Sequence, residues 1–205
     1  ALGMTFVLIL GGVDLSVEPG EKIALLGAGK IGRMVAHFLG TCGDYTLAVG
    51  DVSAEAVAEL CAENRNCQGR AVDFNDAASL DALMKGCDAV ISCAPFHCNP
   101  LIAERALALG LHYFDLTEDV AVTKTVERLA QGARTAFVPQ CGLAPGFITI
   151  IANHLIAPMT DITDLRMRVG ALPRYPSNRL KYNLTWSTEG LINEYCHPCE
   201  VLLNG

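Results

Sequence analysis

Charge is scarce in this sequence, and what there is does not come in runs. Charged residues make up 18% of the chain, the formal net charge is −7, and no basic cluster stands out. That pattern excludes the electrostatic footprint of a nucleic-acid binder and of a protein held to an anionic membrane surface. Long apolar runs are also missing. The longest, Phe6-Val-Leu-Ile-Leu-Gly-Gly-Val13, is far too short to cross a bilayer. It lacks the basic start and small-residue cleavage site of a secretory signal. A cytoplasmic protein is therefore expected. Cysteine is plentiful, but it shows no ordered spacing. Cys42, Cys61, Cys67, Cys87, Cys93, Cys98, Cys141, Cys196 and Cys199 form an odd, irregular set, mostly within apolar helix or strand patterns. Buried reduced thiols explain them better than a disulfide framework. Cys196-His-Pro-Cys199 has no second pair to complete a zinc site, and it follows a helix where a thioredoxin-type site needs a strand. No metal site is expected.

What is present is a large apolar fraction, 51%, enough to bury a substantial core. In the middle of the chain, strand signals alternate with helix signals. Lys22 to Leu26, Thr46 to Asp51, Arg70 to Phe74, Asp88 to Ala94, His112 to Leu116 and Thr135 to Pro139 read as strands. Between them, Lys30 to Leu39, Ser53 to about Asn64, Ala77 to Lys85, Pro100 to Gly110 and Val120 to Ala130 read as helices, and Gly146 to Leu155 follows as another. This alternation predicts a parallel sheet covered on both faces, that is, a doubly wound α/β fold.

After Pro158 the pattern changes. Leu165 to Val169 alternates like a half-exposed strand. A Pro- and Arg-rich loop runs from Pro173 to Arg179, Thr188 to Tyr195 reads as a helix capped by Ser187, and Glu200 to Leu203 reads as a strand. Three parts are therefore expected. Residues 1–20 form a leader of unassigned role, residues 21–160 form the doubly wound domain, and residues 161–205 begin an α+β substrate or dimerisation domain. The last stretch is too short to bury a core alone, so the chain reads as one cut off inside its second domain.

The motif that carries chemistry is Gly27-Ala-Gly29-Lys-Ile-Gly32. It follows a strand, opens a helix, and has an acid, Asp51, at the end of the next strand, which is the Rossmann dinucleotide fingerprint. Gly27 permits the tight turn, Gly29 lets backbone approach a pyrophosphate, and Gly32 lets helix and sheet pack closely. Lys30 and Ile31 begin the helix whose free N–H groups and positive dipole end face the phosphates. Asp51 would accept hydrogen bonds from the adenine ribose. A 2′-phosphate there would meet a like charge, and neither Val52 nor Ser53 is an arginine that could receive it. NAD is therefore expected over NADP. An ATPase phosphate loop is excluded, because Ala24 and Ile31 stand where that motif needs a glycine and a hydroxyl.

Open α/β sheets bind ligands beyond the carboxyl ends of their strands. Asp73-Phe74 would lie there beside the adenine, with the ring flanking the base. Ser92-Cys93-Ala94-Pro95 would border the nicotinamide ribose. Asp115-Leu-Thr117-Glu-Asp119 and Cys141-Gly142-Leu143-Ala-Pro-Gly146 would face the reaction centre. Asp115, Glu118 and Asp119 are three acids suited to an amine, although Glu118 and Asp119 also fit helix capping. His97 reads as a solvated loop histidine. Arg174 and Arg179 are candidates to grip a substrate carboxylate, whereas Arg166 and Arg168 read as the wet face of a strand.

Val90-Ile-Ser-Cys-Ala-Pro95, Gly110-Leu-His-Tyr-Phe-Asp-Leu-Thr117 and Gly142-Leu-Ala-Pro-Gly146, with Gly170-Ala-Leu-Pro173 and Trp186-Ser-Thr-Glu-Gly-Leu-Ile-Asn-Glu-Tyr195, resemble the saccharopine dehydrogenase-like family. The Ala-Pro-Gly form and the Ser-x-Glu-Gly-Leu stretch are most similar to its L-lysine 6-dehydrogenase branch. The resemblance implies NAD(P)-linked oxidation at a carbon bearing an amine, or the reverse reductive amination. It implies an amino-acid or amine substrate and a homo-oligomer when full length. Asp115 would then orient or deprotonate the amine with Thr117 as its neighbour, and Gly142 and Leu143 would border the substrate. A saccharopine dehydrogenase or carboxynorspermidine-type enzyme is the alternative within enzymes, and a non-catalytic NAD-binding regulatory protein is the alternative outside them.

Overall fold

The computed structural model describes residues 19–170, 174–175, 177–179, 181 and 188–196. Strands β1 (Lys22–Leu26), β2 (Thr46–Asp51), β3 (Cys67–Ala71), β4 (Ala89–Ser92), β5 (His112–Asp115) and β6 (Phe137–Val138) form one sheet in the order β3-β2-β1-β4-β5-β6. Every pairing is parallel. Helices α1 (Lys30–Cys42), α2 (Ala54–Glu63), α3 (Ala77–Met84), α4 (Asn99–Leu109) and α5 (Val120–Ala130) make the crossovers, and α6 (Phe147–Ile156) and α7 (Thr188–Cys196) follow. This is the expected Rossmann-type doubly wound sheet.

The strands are apolar on both faces because both faces are covered. Ile23, Leu25, Leu47, Val49, Ile91 and Phe114 pack with Val35, Ala36 and Leu39 of α1 and Val57 and Leu60 of α2. Successive side chains of a strand point to opposite faces. Ala24, Leu26, Ala48, Val90 and Tyr113 therefore meet the other layer, Leu80, Leu83 and Met84 of α3, Ile102 and Ala106 of α4, and Val126 of α5. Each large aliphatic side chain buried this way contributes about 1.5–3 kcal/mol relative to exposure.

The structure differs from the sequence reading in three places. β3 runs Cys67–Ala71 rather than Arg70 to Phe74, and its residues are mostly exposed because it is an edge strand. β6 is reduced to Phe137–Val138. Leu165 to Val169 is exposed and forms no strand. The expected Ser187 cap and the strand at Glu200 to Leu203 lie outside the described residues. α6 has no buried residue despite its apolar sequence. α7 returns to the sheet domain, where Asn193 donates to the Asp119 carboxylate at 3.2 Å. No helix among the described residues is long and apolar enough to cross a membrane.

Candidate functional site

The strand order reverses between β1 and β4, and the glycine turn sits at that switch point. Gly27 donates its N–H to Gly50 O at 2.7 Å, and Cys93 donates its own to Leu26 O at 2.7 Å. The turn is thus squeezed between the ends of β2 and β4. Gly27 has φ +106°, and a Cβ there would lie 2.8 Å from the Cys93 carbonyl oxygen. A Cβ on Gly32 would run into the Gly27 carbonyl. These two glycines are demanded by the chain itself.

Gly29 is different. Its φ of −72° suits any residue, and a Cβ on it would meet nothing within 4 Å. No packing explains a glycine here. Gly29 is also the N-cap of α1, has no side chain to cap the helix, and leaves the first turn without an acid. The start of α1 therefore presents backbone N–H groups and a positive dipole end beside an open slot, with exposed Lys30 next in the chain and half-buried Ile31 after it. The open space at Gly29 leaves room for the close backbone approach that the motif predicts for a pyrophosphate.

Asp51 closes the turn on the β2 side. One carboxylate oxygen accepts from Ala28 N at 2.7 Å and the other from Ser53 N at 2.9 Å. The acid that would read a ribose therefore also fastens the glycine turn to the strand end. Val52 beyond it is 68% exposed, an apolar surface beside the ribose position. Asp73 is exposed and accepts from Asn75 N, but Phe74 is turned into the core. The expectation that its ring flanks an adenine is corrected, because the aromatic face is occupied by the layer beneath α3. Ser92 is likewise turned inward, its hydroxyl donating to Asn99 Oδ1 at 2.6 Å. Burial pushes the Cys93 thiol up to about 12, so it stays protonated. Ala94 is half-buried, Pro95 is exposed, and His97 is exposed against Phe96.

Asp115 requires a larger correction. It is 0% exposed. Tyr113 Oη donates to one carboxylate oxygen at 2.6 Å, while Thr117 N at 2.9 Å and Gln140 N at 3.3 Å donate to the other. Burial raises its pKa, and the three donors pull against that rise. A carboxylate enclosed in this way is a strut between the loop after β5 and the loop after β6. No face of it is left to deprotonate an amine. Thr117 is also buried, and its hydroxyl oxygen accepts from Asp119 N. Asp119 caps α5 by accepting from Val122 N, as the capping alternative anticipated. The three acids expected to attract an amine do not make an open anionic face.

Past β6, Gln140 adopts φ +62°, and Gly142 bridges to Gly146, where a Cβ would strike backbone oxygens. Gly142 and Leu143 lie on this loop, and Leu143 is 36% exposed. Their carbonyls accept from Phe147 N and Ile148 N at the start of α6. Arg174 and Arg179 are exposed, and Arg174 lies over the Tyr175 ring at 5.7 Å. No three His, Cys, Asp or Glu side chains among the described residues converge as a metal site. Tyr113, Asn99, Gln140 and Asn193 were not anticipated. Only Tyr113 had a readable signal, because it shares a strand face with Asp115 two residues on.

The sheet order, the glycine turn at its switch point and the acid at the end of β2 define a nicotinamide dinucleotide-binding domain. The chain belongs to the saccharopine dehydrogenase NADP binding domain family, which it matches over residues 23–138. It is 23% identical to mitochondrial alpha-aminoadipic semialdehyde synthase of Mus musculus over 93% of this chain and 21% of that one. It is 25% identical to the NADP(+)-dependent, L-glutamate-forming saccharopine dehydrogenase of Pyricularia oryzae, over 84% of this chain and 39% of that enzyme. The apo saccharopine dehydrogenase (L-Glu forming) of Saccharomyces cerevisiae shares the fold with a TM-score of 0.67 at 20% identity, over 84% of this chain and 40% of that one. The chain thus spans about a fifth to two fifths of these relatives.

Proposed function

We propose that this domain carries the dinucleotide for an NAD(P)-dependent oxidoreductase acting at the amine-bearing carbon of an amino acid. The observation that carries the reading is Gly29, a glycine that the packing does not require, at an uncapped helix start beside Asp51. Family membership supports the reaction class. The bound dinucleotide would take or give the hydride. The chain's own part is to hold it: backbone N–H groups of α1 at the pyrophosphate, Asp51 at the ribose with Val52 beside it, and the loop at Ala94 and Pro95 toward the nicotinamide.

A saccharopine-type substrate is favoured by the relatives' names. An L-lysine 6-dehydrogenase-like activity is favoured by Ala144-Pro145-Gly146 and by Glu189-Gly190-Leu191. Asp51 favours NAD on charge, whereas the family name and the Pyricularia relative point to NADP. Calorimetric titration with NAD and NADP separates these, with tighter NAD binding expected. Following reduced dinucleotide absorbance with saccharopine and then lysine as substrate tests the reaction. Failure to bind either dinucleotide would overturn the proposal.

A further inference from the structure

Away from the glycine turn, two thiols meet at the start of the edge strand. Cys61 lies in the last turn of α2 and Cys67 opens β3, six residues on. Their sulfurs are 2.7 Å apart, and both residues are half-buried rather than sealed in the core. The local packing fixes this meeting. α2 lies directly on β3 at Gly69, where a Cβ would strike Val57 and would come within 3.3 Å of the Cys61 sulfur. Asn66, at φ +56°, turns the chain back so that Cys67 faces the helix it has just left.

We propose that Cys61 and Cys67 form a reversible disulfide that fastens α2 to the edge strand β3. The oxidant is a low-molecular-weight disulfide such as oxidised glutathione. The Cys61 thiolate attacks one glutathione sulfur, forming a mixed disulfide and releasing one glutathione thiolate. The Cys67 thiolate then attacks the Cys61 sulfur, the mixed disulfide breaks, and a second glutathione thiolate leaves. The two protein thiol protons end on the two released glutathiones, so the protein is oxidised by two electrons and the glutathione disulfide is reduced by two. Cys67 is assigned the second step because burial and the adjoining Cys61 hold its thiol well above the usual range. The neighbouring sulfur then supplies by proximity what acidity does not.

The site is separate from dinucleotide binding. Cys67 pairs with Leu47 and Ala71 with Asp51, so the sulfurs and the ribose corner stand at opposite ends of β3, about 13 Å apart along the strand. Closing this short loop restricts the unfolded chain, and the melting temperature should rise by about 5–10 °C.

The test is oxidation of the whole chain with oxidised glutathione, acid quenching, alkylation and tryptic mapping. Trypsin cuts after Arg65, between the two cysteines. The expected product is the Met34–Arg65 peptide joined to Asn66–Arg70, two hydrogens lighter than the separate peptides. Cys42 lies in the first peptide, so the join must persist in Cys42→Ser and vanish in Cys61→Ser. The rise in melting temperature should disappear on reduction and be absent in Cys67→Ser, while NAD affinity stays within twofold before and after oxidation. An unresolved glutathione adduct on Cys61, full alkylation of both thiols after oxidation, or a link to Cys42 instead would each overturn the assignment. Mapping the unmutated chain decides the matter even if a serine variant folds poorly.

Discussion

Replacing Gly29 by valine separates the demands of the fold from those of the ligand. The new side chain finds nothing within 4 Å at its Cβ, and the backbone at φ −72° accepts it. Two small effects oppose each other. Glycine is a better N-cap than an aliphatic residue by about 0.5–1 kcal/mol. Removing a glycine also restricts the unfolded chain and returns about 0.4–1 kcal/mol. The net change is within about 1 kcal/mol, or roughly 2–4 °C in melting temperature for a chain of this size. Gly32→Ala is the contrast. Its Cβ collides with the Gly27 carbonyl, so helix or turn must move, at a cost of about 1–3 kcal/mol or more. The assay is thermal melting with and without dinucleotide. At a hundred times its Kd, a ligand stabilises by about 2.7 kcal/mol, roughly 5–11 °C here. The unmutated chain should show that shift, and Gly29→Val should melt like it without ligand and show none with it. A full ligand shift in Gly29→Val would refute the reading of the open slot. An unliganded melting temperature that falls as far as that of Gly32→Ala would refute the packing argument.

Asp51→Ala should weaken NAD binding and narrow any preference over NADP, since it removes both the ribose acceptor and the fastening of Ala28 and Ser53. Paired calorimetric titrations check this, and comparable or tighter NADP binding by the unmutated chain would contradict it. Asp115→Ala leaves the Tyr113 hydroxyl and the N–H groups of Thr117 and Gln140 without their buried acceptor. A loss of about 3–5 kcal/mol in denaturant unfolding is expected. Asp115→Asn retains an acceptor for the two N–H groups and should lose much less, provided the Tyr113 hydroxyl turns to accept. Because the native carboxyl binds its proton more tightly than the unfolded one, its contribution to stability is fully present below about pH 4 and is lost as pH rises through the raised native value. Denaturant unfolding of the unmutated chain and of Asp115→Asn from pH 4 to 7 should show a pH-dependent difference of that sign, and no difference would contradict it.

The sheet was legible because its central strands are buried on both faces and read as apolar runs broken by helix signals. β3 was not, since an edge strand of sequence Cys-Gln-Gly-Arg-Ala has no such run, and the apolar Val72 and Phe74 just past it drew the boundary forward. The glycine turn and Asp51 were legible as a spaced motif. Asp115 was misread for a physical reason. An acid at the carboxyl end of a strand looks the same in sequence whether it faces a ligand or accepts internal hydrogen bonds. Its enclosure by Tyr113, Thr117 and, through the β5–β6 pairing, Gln140 decides which it does. Asp119 was readable as a cap because capping is local, whereas its second partner, Asn193, comes from distant chain.

Two of the three donors on Asp115 are main-chain groups. The loops after β5 and β6 are therefore held in register by a frame that does not depend on their side chains. Almost any residue except proline could replace Thr117 without removing its N–H group. The same holds at position 140, with a preference there for residues that tolerate a left-handed backbone. Loop chemistry can thus change around a fixed scaffold, and substrate preference can diverge while the geometry of the sheet rim is inherited intact. An engineer recasting residues 141–146 would keep Gly146, where a Cβ would strike backbone oxygens, and would leave untouched the Asp115 carboxylate beneath the loop.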